Sequence, residues 1–161
     1  MNPEQIRQSM NSFLTNYRVN QGPPLAYHLY IPSDFREPEQ QEFISITIGT
    51  SDYKKFYPSA SDFWVTALFN FVEDQMQDQK FEEQATQALC ELVGETVMRR
   101  QVQNCLSRLD SRFSPDFIVE ETILVIYRMF NYEDRISYVV KTAQGYYAFF
   151  WEKETGTYCA K

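Results

Sequence analysis

The sequence predicts an α+β fold: a mostly antiparallel sheet, built from two N-terminal strands plus a C-terminal meander of three to four strands, packed against three to four helices. Two observations carry this. The last third of the chain holds three aromatic-rich runs, Ile123–Phe130, Ile136–Lys141 and Tyr146–Trp151, with the turn formers Asn131-Tyr132-Glu133-Asp134 and Thr142-Ala143-Gln144-Gly145 between them. Connections that short, rich in turn formers, make neighbouring strands antiparallel. The second observation is the run of apolar stripes at helical spacing between residues 1 and 113. The order reads α, β, β, α, α(α), β, β, β, (β), which is a layer of helices against a sheet.

Each element has its own local warrant. Asn2-Pro3-Glu4 is a helix start: a capping side chain, proline at the first helical position, then an acid at the positive end of the dipole. Ile6, Met10, Phe13, Leu14 and Tyr17 then form one apolar stripe, ended by Asn20-Gln21-Gly22-Pro23-Pro24. Leu25, Tyr27, Leu29 and Ile31 alternate with Ala26, His28 and Tyr30, the period of a half-buried strand stopped by Pro32. After a polar, acidic loop from Ser33 to Glu42, a second strand from Phe43 to Ile48 puts Ile44, Ile46 and Ile48 on one face, and Gly49 closes it. These two strands form a hairpin, or each pairs with the meander.

Thr50 to Pro58 reads as irregular. Ser59 or Ser61 then caps a helix whose apolar face is Phe63, Trp64, Ala67, Leu68, Phe71 and Val72. A third helical region starts near Lys80, with Phe81, Ala85, Ala88, Leu89, Leu92 and Val93 at helical spacing. Gly94 interrupts it, and Met98, Val102, Cys105, Leu106, Leu109 and Phe113 restart the stripe, so it is two helices or one kinked near Gly94. Both faces of Ile123–Phe130 are apolar, which predicts a central strand covered on both sides. Lys153-Glu154-Thr155-Gly156 reads as a turn before a short final strand, Thr157-Tyr158-Cys159. No repeat or linker divides the chain, and residues 1–161 are read as one domain.

Composition narrows the function classes. The net charge is −7, which disfavours partners recognised through phosphates, so no nucleic acid is expected. No stretch approaches the ~20 apolar residues that span a bilayer. The N-terminus lacks the pattern of a signal peptide, and the three cysteines show no CxxC or CxxH spacing; both point to the cytoplasm. The aromatic content is the oddity: 13 Phe, 11 Tyr and 2 Trp. Eleven tyrosines exceed what one small core hides, and half-exposed Tyr is common at binding surfaces.

Catalytic constellations are sparse. His28 is the only histidine, which removes most Cys–His and zinc schemes, and no metal or other cofactor is expected. GxGxxG, GxxxxGK[ST] and GxSxG motifs do not occur. Glu91 and Glu152 sit within apolar sequence but read as edges of their stripes, and Glu120-Glu121 reads as solvent-exposed. Against the acidic background, Arg100, Asn104, Arg108 and Arg112 recur at i+4 steps, a ridge that would suit an acidic partner. The acidic loop holds Phe35 between Glu37, Glu39 and Asp34, which would suit insertion into a partner's pocket.

The reading is a non-enzymatic protein-binding or regulatory protein, such as an inhibitor, immunity-type factor, chaperone or adaptor. Its candidate partner surface is Arg100, Arg108, Arg112, Phe35, Glu37 and Glu39. A homodimer through an exposed sheet face or edge would use the same features. The alternative is a small-molecule-binding protein or small enzyme with an aromatic pocket between sheet and helices, lined by Tyr27, Tyr30, Tyr127, Tyr138, Tyr147, Phe149 and Trp151.

Overall fold

The computed structural model describes residues 1–16, 26–30, 42–50, 57–74, 80–107 and 121–153. Helix α1 spans Pro3–Asn16 and starts as its sequence dictates. The Gln5 amide donates to Asn2 Oδ1 at 2.9 Å, and the Asn2 amide returns a bond to Gln5 Oε1 at 3.1 Å, a reciprocal capping box. Helix α2, Ala60–Asp74, is capped by Ser59 rather than Ser61, with the Asp62 amide donating to Ser59 Oγ. Ser61 instead bonds Ser9 at 2.8 Å, joining α1 to α2 inside the protein.

Strands β1 (Ala26–Tyr30) and β2 (Glu42–Thr50) pair antiparallel, and β2 then pairs antiparallel with β6 (Gly145–Lys153). Both arrangements left open by the sequence therefore occur together for β2. Strands β4 (Ile123–Tyr132), β5 (Arg135–Thr142) and β6 form the predicted meander, with two-residue connections at Glu133-Asp134 and Ala143-Gln144. Among the described residues the sheet has six strands in the order β1-β2-β6-β5-β4-β3, where β3 is only Glu91–Leu92. With helices α1, α2, α3 (Lys80–Ala85) and α4 (Glu95–Leu106), this is the α+β architecture expected. No described helix is long and apolar enough to cross a membrane.

Helices cover the sheet on two sides. On one, α1, α2 and α3 pack Ile6, Phe63, Trp64, Leu68, Phe71 and Phe81 against Val139, Tyr146, Ala148 and Phe150. Trp64 is the centre: its ring meets Phe130 edge-on at 5.3 Å and stacks on Phe150 at 5.9 Å, while its indole N–H donates to Ser137 Oγ at 2.9 Å. Each such ring pair adds about 0.5–1.5 kcal/mol beyond the area it buries. On the other side, α4 sets Met98, Val102, Cys105 and Leu106 against Ile126, Tyr138, Val140 and Phe149.

Two expectations are corrected. The stripe Ala88–Val93 is not helical. Helix α3 ends at Ala85, and the chain then bonds to the sheet: the Leu89 amide donates to the Met129 carbonyl at 2.8 Å and the Val93 amide to the Ile126 carbonyl at 3.2 Å. The Tyr132 hydroxyl takes the Gln87 carbonyl at 2.7 Å, and Arg135, lying over the Phe130 and Tyr132 rings, donates to the Gln87 side chain. Cys90 turns the chain between them with φ 55°, a left-handed conformation that costs a side-chain-bearing residue energy. The second correction concerns β4, which is next to last in the sheet rather than central. Its ladder with β5 carries register shifts between Ile123 and Val125 and between Arg128 and Phe130. The second shift puts the successive residues Met129 and Phe130 into the α2-side core, while Ile126 lies in the α4-side cluster, so both faces of β4 are covered as its apolar run predicts, although the strand is not central. The central, two-sided strands are β5 and β6. The proposed final strand, Thr157–Cys159, lies outside the described residues.

Two substitutions test this core. A Cβ on Gly49 would lie 2.6 Å from Phe63 Cε2, and Phe63 is fully buried. Gly49→Ala should therefore destabilise by about 1–3 kcal/mol in urea titration; an unchanged midpoint would contradict this packing. Ser45 Oγ is the one buried side-chain polar atom among the described residues with no hydrogen-bond partner. Ser45→Ala should leave stability equal or higher, whereas the same change at Ser137 orphans the Trp64 indole and should cost about 1–3 kcal/mol. Equal losses at both positions would refute the assignment.

Candidate functional site

Among the described residues, the two ends of the sheet are β1 and β3. The β3 end is built from a strand of two residues: Glu91 faces Arg128 and Leu92 faces Tyr127 across the ladder. The Arg128 guanidinium grips the Glu91 carboxylate with Nε and Nη2, at 2.9–3.1 Å. This pair fixes β3 to β4 and leaves the end without a lone charge at that point. Directly after β3, Gly94 starts α4 without a side-chain cap, and Glu95 pairs with Arg99 at 3.3 Å.

Apolar side chains stand out of this frame into solvent. Of five exposed large hydrophobics among the described residues, four lie along β3, the start of α4 and the start of β4: Leu89, Leu92, Val97 and Leu124. Leu92 is 68% exposed and Leu124 58%. The remaining one is Leu14 on α1. A two-residue edge strand offers little backbone for another strand to copy, so recognition here would fall to side chains. Helix α4 is held in place beneath by its apolar face and by a polar chain: the Tyr138 hydroxyl donates to Gln101 Oε1, and Gln101 Nε2 donates to Asn131 Oδ1 at 2.9 Å.

A second polar cluster lies at the β5–β6 turn. The Tyr147 hydroxyl donates to Glu121 Oε1 at 2.6 Å and Thr142 Oγ1 to Glu121 Oε2 at 2.8 Å. Thr142 Oγ1 also accepts from the Gln144 and Gly145 amides, which closes the turn. Glu121 is thus half-buried and bonded, not solvent-exposed as its sequence context reads. Burial, then the Glu121 carboxylate, pushes the Tyr147 phenol well above the ordinary tyrosine range, and burial also raises Tyr138 and Tyr146.

The residues singled out by sequence are scattered. Arg100 is exposed on α4, whose described helix ends at Leu106. Arg108, Arg112, Phe35, Glu37 and Glu39 lie outside the described residues. Tyr27 and Tyr30 belong to β1, of which only the backbone is described. Tyr127 packs on the α1–α2 side, where its hydroxyl accepts from the Met1 amino group at 3.2 Å. Tyr138, Tyr147, Phe149 and Trp151 pack on the opposite, α4 side. Tyr138 and Phe149 are fully buried, and the Trp151 indole N–H donates to Glu42 at 2.9 Å. These aromatics are divided by the sheet and do not share one lining. Glu91 is exposed and Glu152 buried, so only the first lies at a stripe's edge.

A groove of about 220 Å³ does exist elsewhere, between α1 and the end of α3, floored by Ile6, Met10 and Ala85 and rimmed by the Glu4–Arg7 ion pair. It is lined by no aromatic side chain among the described residues. Among the described residues no three His, Cys, Asp or Glu side chains gather as metal ligands. Cys90 and Cys105 are not in disulfides, and burial pushes the Cys90 thiol up, away from the reactive thiolate.

The tyrosines set the alkaline response. A phenol with a raised folded pKa favours the folded state while it is protonated. That stability is complete below the unfolded value, about 10, and is lost as pH rises from there toward the folded value. Stability should therefore fall above pH ~10, and Tyr147→Phe should make that fall shallower. The check is denaturant midpoint against pH beside tyrosinate absorbance; a Tyr147 that ionises with the ordinary tyrosines would contradict the Glu121 contact.

No family of known proteins, curated protein or solved structure matches the chain.

Proposed function

We propose that the chain is a non-enzymatic, cytoplasmic regulatory protein that works by binding another protein, and that it does so with the β3 end of its sheet. The observation that carries this is the concentration of exposed leucine and valine at that end, above all Leu92 and Leu124, beside the Glu91–Arg128 and Glu95–Arg99 ion pairs. Water-exposed leucines are an unused source of affinity: covering one fully yields roughly 1.5–3 kcal/mol. The paired Glu91–Arg128 and Glu95–Arg99 ions can be approached by a partner without stranding a bare charge, which is the usual cost of burying a charged rim. A protein of the inhibitor, adaptor or chaperone kind needs only such a surface on a stable scaffold.

The acidic character of the chain, net −7, accords with a protein partner rather than nucleic acid. The lack of a disulfide at Cys90 and Cys105 accords with a reducing compartment. Native mass spectrometry of protein purified gently from its own cells should show a second protein at fixed stoichiometry. The double variant Leu92→Glu/Leu124→Glu, with an unchanged denaturation midpoint, should lose it. A partner retained by that variant, or a lone chain carrying a small-molecule adduct, would overturn the assignment; a self-complex lost in the variant would make the partner a second copy.

A further inference from the structure

We draw no further inference here: the strongest candidate, the exposed apolar end of the sheet around Leu92 and Leu124, belongs to the surface already proposed for partner binding, and nothing in the structure shows what covers it.

Discussion

The β5–β6 hairpin must be covered on both faces, and most of the structure follows from that constraint. Val139, Ala148 and Phe150 point to one side, Tyr138, Val140 and Phe149 to the other, and all are buried. A hairpin this apolar cannot face water on either side. Helix α2 answers on one side with Phe63, Trp64, Leu68 and Phe71. Helix α4 answers on the other with a narrower face of Met98, Val102, Cys105 and Leu106. The Trp64 indole is the key between layers, since its N–H reaches Ser137 in the middle of β5 and so sets the depth at which α2 sits.

That asymmetry explains where the molecule is left open. The α2 side is backed by α1 and α3 through the Ser9–Ser61 bond and the Phe13, Phe69 and Phe81 rings, whose centroids lie 5.0–5.8 Å apart. Over β4 both layers persist, with Phe130 against Trp64 on one side and Ile126 in the α4 cluster on the other, and the large apolar side chains left exposed lie around β3 and at the start of β4. Side chains there that would be core residues in the middle of the sheet, Leu92 and Leu124, stay largely exposed. The Arg128–Glu91 grip holds this short strand in place without hiding the leucines beside it.

Where information was local, the sequence was sufficient. Asn2-Pro3-Glu4-Gln5 and Ser59 to Asp62 carry their capping bonds within four residues, and the helices begin where those residues put them. The two turns of the meander are equally local. Ala88 to Val93 was misleading because its apolar spacing fits a helix; the choice was made by Met129, Ile126 and Tyr132, some forty residues away. The place of β4 was hidden because both its faces are covered although it is next to last in the sheet, and an apolar run reports cover, not strand order. The candidate site was the least legible part. Hydropathy marks Leu92 and Leu124 as core residues, and only the strand order reveals that they lie where the sheet runs out. The Tyr147–Glu121 bond, between residues 26 apart in sequence, was invisible for the same reason.

Hydrogen exchange of the backbone amides tests the central claim most directly, because it separates the parts of a fold by their opening free energies. The amides of β5 and β6 should be the slowest in the chain, exchanging only on global unfolding, and those of β3 and the first turn of α4 should exchange well before them. Equal or greater protection at β3 would contradict the account, since it would place the stable core at the end of the sheet that we assign to a partner.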